Sequence, residues 1–463
     1  MYKNLPRLLI TAPASSHGKT TVTCALLQAL IQRGLEPAAF KSGPDYIDPM
    51  FHSALMGVKS RNLDLFLGSE RLARNLLWEN AAASSLAVIE GAMGYYDGIA
   101  MSGEASSYAL ARCTDSPVIL VVQGNMQELS LAAEIRGIQV LRNDSNLKGV
   151  ILNQTTASYY SLLKEGIEKE TGLPVLGYMP PMPQCAVESR HLGLVTAAEI
   201  RDLKDKMALL AGQAEKTLDI DRMMDIACQA PSLRYEPMQL PDPVPGKPVI
   251  AVAKDLAFSF YYADTLTLLE KLGASLAMFS PLKDAGLPDN CTGILLGGGY
   301  PEIYTQGLSE NAAMRQSIRQ AIQKGMPCIA ECGGFLYLHE KLEGSDGKMY
   351  PMAGVIPADA HRTDRLQRFG YMTLTAQRDD MLCPQGSQMN VHEFHYWESE
   401  NNGQGFMAEK PERPGAWGCV HSSQTLYAGF PHLYLCGAPE AAANFVRACA
   451  RFGQRFEKRE VLS

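Results

Sequence analysis

Apolar positions between residues 8 and 178 fall into short runs separated by longer amphipathic stretches. Leu8-Leu9-Ile10 predicts a strand, and residues 20–32 predict an amphipathic helix. Further strands are expected at residues 37–41, 87–91, 117–123, 149–153 and 175–178, with helices at 126–142 and 158–171. Compact apolar runs of this kind suit strands covered on both faces. Strand and helix in alternation predict an α/β domain with a doubly wound parallel sheet, whose ligands gather at the C-terminal strand ends. Lys19, Asp45, Glu90 and Asn153 all fall at such ends.

Residues 197–227 read as helix of mixed charge. Residues 230–247 are dense in proline and carry neither pattern, so they read as a semi-rigid linker. A second α/β pattern begins at residue 248, with strands at 248–253, 275–279 and 293–297, helices at 258–272 and 309–324, and a buried strand at 327–330. Residues 349–437 read mostly as strands. The expected organisation is therefore a domain over 1–229, a linker over 230–247 and a second domain over 248–463.

Composition narrows the class. With 46% hydrophobic and 20% charged residues, the 463-residue chain is expected to be an ordinary globular protein of several domains. A net charge of −7 argues against nucleic acid or an anionic membrane as partner. No apolar run approaches a membrane span. The start of the chain shows no secretory pattern, and eleven cysteines without CxxC pairs fit reduced thiols, so a cytoplasmic protein is expected.

Three stretches carry chemistry. Residues 11–21 end in Gly18-Lys19-Thr20-Thr21 between a strand and a helix, the setting of a phosphate-binding loop. Its N–H groups would wrap a polyphosphate, Lys19 would neutralise it and Thr20 would offer a hydroxyl to Mg²⁺. Pro13 stands where the usual motif has glycine. KSGPDYIDP, residues 41–49, reads as a stiff turn that places Asp45 and Asp48 toward a metal or substrate, or as ordinary turn formers. Glu90 ends a strand where such domains commonly reach their metal. In the second half, Cys332 follows a strand and precedes Gly333-Gly334 and a helix, which favours its thiolate. His432, 100 residues later, is the expected proton acceptor among six histidines downstream. N–H groups near Gly298 and Gly333 could hold an oxyanion.

The strand-Cys-Gly-Gly elbow, the GGG loop at 297–299 and the late histidine resemble the class I glutamine amidotransferases. That class usually places a glutamate two residues after the histidine; here the position is Tyr434, and the sequence does not name the group that orients His432. The first half resembles dethiobiotin synthetase. Together the halves resemble the cobyrinate a,c-diamide synthase family, through SSHGKTT (15–21), KSGPDYIDP (41–49), EGAMGYYDG (90–98), GGGYPEIY (297–304) and ECGGFLYL (331–338).

The resemblance implies an ATP- and glutamine-dependent ligase that amidates the a- and c-carboxylates of cobyrinate through an acyl phosphate. Cys332 and His432 would release ammonia from glutamine. Ser16, Gly18, Lys19, Thr20, Thr21 and Asn153 would bind ATP, with Asn153 at the adenine. Thr20, Asp48 and Glu90 would hold Mg²⁺, while Lys41, Asp45, Tyr46, Ile47 and Asp97 would meet the corrinoid. Hydrogenobyrinate or another tetrapyrrole acid is an alternative substrate, and a partitioning-type nucleotide switch an alternative class. A homodimer, the order of amidation and the ammonia path stay open.

Overall fold

The computed structural model describes residues 1–124, 127–185, 203–411 and 413–460. The expected helix starts at residues 126 and 197 lie outside them. The chain divides into two compact units, Met1–Met238 and Gln239–Ser463.

The first unit is built on a seven-stranded sheet ordered Ser60–Leu63, Pro37–Ser42, Leu86–Glu90, Arg7–Thr11, Val118–Gln123, Leu147–Asn153, Val175–Met179. All its pairings are parallel. Runs such as Leu8-Leu9-Ile10 and Ile119-Leu120-Val121 are wholly buried, as a sheet covered by helices requires. Helix Lys19–Gln32 packs its buried Val22, Leu26, Leu27 and Leu30 into the core together with Leu203–Thr217. The chain leaves the central strand Arg7–Thr11 toward one edge and later fills the other. The C-terminal strand ends beside that strand therefore open a crevice, and Lys41, Glu90 and Ile10 sit in one register across it.

Two expectations for this unit need correction. Residues 41–49 are not one stiff turn: a helix, Ile47–Met56, starts inside them with Asp48 and Pro49 in its first turn, where proline costs no hydrogen bond. Part of the proline-rich stretch is also structured, since Leu233–Arg234 pairs antiparallel with Tyr2–Lys3.

The second unit has a sheet ordered Ser275–Phe279, Val249–Ala253, Gly293–Leu296, Cys328–Glu331, Leu426–Gly429, His421–Ser422, parallel except for the last strand. A five-stranded antiparallel sheet carries Gln388–His395 and, at its edge, His432–Leu433. The helix expected over 258–272 begins only at Ala263; Phe258–Phe260 is a short strand paired with Gly298–Gly299. The helix expected over 309–324 is broken at Asn311, whose side chain accepts from Met314 N and caps Ala312–Gln323. Helix Pro439–Glu460 ends the described chain. Among the described residues no helix is long and apolar enough to cross a membrane.

Candidate active site

The loop after Arg7–Thr11 is held from several directions. Ser16 and Gly18 both take positive φ, 65° and 90°. Gly18 has no room for a side chain, because a Cβ would fall 1.9 Å from Asn153 Nδ2. That amide instead donates to the carbonyl of His17 at 2.9 Å, and Gln123 Nε2 donates to that of Ser16 at 2.9 Å. Lys19 Nζ donates to the carbonyls of Ala14 (3.0 Å) and Met93 (2.5 Å), tying this loop to the one after Glu90. Burial and the nearby Lys41 charge pull the Lys19 ammonium down to about 8. Ser16, Gly18, Thr20, Thr21, Gln123 and Asn153 line a cavity of about 430 Å³ together with Met179, Pro180, Pro181 and Met182. Asn153 thus faces the cavity while bracing its floor.

Beside the loop lies a buried charged cluster. Lys41 Nζ is 2.5 Å from Asp48 Oδ2, 2.7 Å from Glu90 Oε1 and 3.9 Å from Asp45 Oδ2. Thr20 donates to the same Glu90 oxygen at 2.6 Å. Burial alone would discharge Lys41, but Glu90, Asp48 and Asp45 outweigh it and raise its pKa. Burial and Asp48 push Glu90 up to about 7 against the pull of Lys41. Burial also opposes ionisation of Asp48, but Lys41 overrides it and holds Asp48 low. Asp45 is raised to about 6 by burial and Asp48. Its Oδ1 accepts from Ile47 N (2.8 Å) and Asp48 N (3.2 Å), so it also starts the helix as a turn former does. Tyr46 is buried and Ile47 half-buried on the same turn. Asp97 lies in the loop after Glu90, accepting from Gly94 N at 3.0 Å, close enough to Lys19 to offset part of the fall in its pKa.

In the second unit Cys332 sits between strand Cys328–Glu331 and helix Gly333–Tyr337 at φ 47° and ψ −102°. A β-carbon residue held there is strained, and the strain turns the thiol out of the strand line. Its N–H donates to Gly429 O (2.8 Å), and its carbonyl starts the helix by accepting from Leu336 N. Burial would lower the His432 imidazole pKa, but the neighbouring Cys332 and Glu331 raise it to about 10. A Cβ on Gly298 would lie 2.6 Å from His432 Cε1, and one on Gly333 would lie 3.0 Å from Gly299 N. The two glycine-rich turns therefore close around the thiol and imidazole. First-turn N–H groups of a helix have no partner within it, which leaves those of Gly333 and Gly334, next to the thiol, as candidate donors.

The sequence reading missed several residues here. Glu331 Oε2 is 3.6 Å from His432 Nδ1, although the only sequence hint was its place before Cys332. Asn62 donates to the carbonyls of Gly43 (3.0 Å) and Asp45 (2.6 Å), shaping the turn that carries Asp45. Buried His52 lies 3.8 Å from Glu90 Oε2 and is driven down to about 4 by burial. Tyr261 OH accepts from Gly297 N at 2.9 Å, fixing the GGG loop.

Residues 8–194 match the CobQ/CobB/MinD/ParA nucleotide binding domain, and residues 249–439 match the CobB/CobQ-like glutamine amidotransferase domain. A cobyrinate a,c-diamide synthase from Caldanaerobacter subterraneus subsp. tengcongensis is 36% identical, covering 96% of this chain and 99% of the relative. The enzyme of that name from Salmonella typhimurium is 38% identical, covering 96% and 98%. That from Dehalococcoides mccartyi is 37% identical, covering 97% and 99%. An amidotransferase half leaves the nucleotide-switch alternative without a role for residues 249–439. Similarity of this extent, continuous through both units, makes the chain a member of the cobyrinate a,c-diamide synthase family.

Proposed function

We propose that the chain converts cobyrinate to its a,c-diamide with ATP and glutamine, each amide made at a corrinoid carboxylate in the first unit from ammonia freed in the second. Cys332 gives its proton to His432, and the thiolate sulfur bonds the side-chain carbonyl carbon of glutamine. N–H groups at Gly333 and beside Gly298 receive the oxyanion. As the intermediate collapses the C–N bond breaks, and His432 returns the proton to the departing ammonia. His432 then takes a proton from water, which attacks the thioester. The C–S bond breaks, and glutamate and the free thiol result.

In the first unit Ser16, Gly18, Lys19, Thr20 and Thr21 hold ATP, with the base in the cavity next to Asn153. A corrinoid carboxylate, met by Lys41, Asp45, Tyr46, Ile47 and Asp97, attacks the γ-phosphorus. ADP leaves, and ammonia displaces phosphate from the acyl phosphate. Lys19 and Lys41 offset the repulsion between carboxylate and phosphate. The Thr20 hydroxyl with the carboxylates of Glu90 and Asp48 is a hard oxygen set that fits Mg²⁺, and buried Glu90 Oε2 has no hydrogen-bond partner. Bound there, Mg²⁺ supplies neutralisation of the polyphosphate. All the cysteines are free, which supports action in a reducing cytoplasm.

The convergence of Cys332 and His432 on one pocket lined by Gly298 and Gly333 carries the glutaminase half of this reading. Cys332→Ala is expected to abolish glutamine-driven amidation and leave ammonia-driven amidation intact. Lys19→Ala is expected to lose both. Loss of both in Cys332→Ala would overturn the separation of sites.

A further inference from the structure

We propose that Glu331, the residue directly before Cys332, is the positioning carboxylate of His432. The inference rests on the Cys332–His432 assignment above. Where an amidotransferase of this class would supply a glutamate two residues after its histidine, this chain has Tyr434, a buried phenol whose ring packs edge-on against Tyr262 at 5.0 Å. The carboxylate comes instead from the other side of the nucleophile. Glu331 ends its strand in register with Gly429. The sharp backbone at Cys332 then lets adjacent residues address one imidazole, Cys332 from the elbow itself and Glu331 Oε2 from 3.6 Å at Nδ1.

Glu331 is itself fixed. Its Oε1 accepts from Leu433 N at 3.1 Å, so the strand that carries His432 is tied to the carboxylate that faces it. Other groups around the imidazole are accounted for. His392, its neighbour across the antiparallel pair, is driven down to about 3 by burial and by His432, so it is uncharged. Glu393 is committed to His395 at 2.8 Å. The phenols of Tyr261 and Tyr427 lie near Glu331, and burial, with Glu331 adding to it, raises both. With its carboxylate 3.6 Å from Nδ1, Glu331 is placed to favour a proton on that nitrogen and to leave the other for the thiol.

The test uses the full chain and three readouts. In Glu331→Gln, glutaminase kcat is expected to fall roughly 10- to 100-fold with the KM for glutamine nearly unchanged. Iodoacetamide should alkylate Cys332 more slowly at pH 7, and ammonia-driven amidation should persist. Glu331→Asp should recover part of the loss. A Glu331→Gln enzyme with wild-type kcat, or one whose deficit lies wholly in KM, overturns the proposal. Should Glu331→Gln not fold, nitrogen NMR of His432 in the wild-type chain decides: a proton on Nδ1 supports the pairing, and a neutral ring protonated only on Nε2 refutes it. Cys332→Ala keeps the two levels apart, because glutaminase activity surviving in that variant would defeat the underlying assignment rather than the role of Glu331.

Discussion

At the scale of single residues, two positions have no freedom. Gly18 combines a left-handed backbone with a Cβ position 1.9 Å from Asn153 Nδ2. Gly18→Ala must displace the amide that braces the loop, at a cost of about 1–3 kcal/mol in local strain. Titration calorimetry should find nucleotide binding lost in this variant while glutaminase turnover survives. His432 is the second. Its folded pKa of about 10 lies above the ordinary 6.5, so the folded chain binds this proton more tightly than the unfolded one. Stability from this group is complete below about pH 6.5 and is lost as pH rises through about 10. Glutamine-driven kcat/KM should show an alkaline limb in the same upper range, and Glu331→Gln should move that limb to lower pH. An unmoved limb would contradict the pairing.

At the scale of elements, the central strand of the first unit is pinned by a buried cation. Arg7 is fully buried and donates to the carbonyls of Leu5, Thr114, Asp115 and Pro231 at 2.9, 2.7, 3.3 and 2.8 Å. Arg7→Met strands these acceptors and should cost about 3–5 kcal/mol, read as a lowered urea midpoint. Long, locally determined elements were legible in advance: six strands of the parallel sheet and helix Lys19–Gln32 follow from apolar runs and a phosphate-loop signal, while the edge strand Ser60–Leu63, with no apolar run, does not. Elements that exist through distant partners were not. Phe258–Phe260 continues an apolar run that suits a helix, and only pairing with Gly298–Gly299 makes it a strand. Pro44 and Pro49 suggested a rigid turn, yet Pro49 fits a first helical turn because no N–H is needed there.

At the scale of the molecule, each unit gathers chemistry that the chain scatters. Lys41 and Glu90, 49 residues apart, are paired across adjacent strands, and the first turn of helix Ile47–Met56 brings Asp48 back onto Lys41. Cys332 and His432 meet because strands Cys328–Glu331 and Leu426–Gly429 are neighbours, and the turn after Gly429 returns the histidine to the nucleophile. Motif spacing picked out residues that the fold brings together in each unit. The partner of His432 was not, since a residue adjacent to the nucleophile points away in a regular strand and only the elbow at Cys332 reverses that. The proposed reaction depends on nitrogen freed in one unit reaching an acid activated in the other. The most direct test incubates the intact enzyme with cobyrinate, ATP, Mg²⁺ and glutamine labelled with ¹⁵N in its side-chain amide, then weighs the corrinoid. Two labelled amides per corrinoid, with ATP consumed to match, is the expected result; an unaltered corrinoid, or amides free of label, would contradict the account.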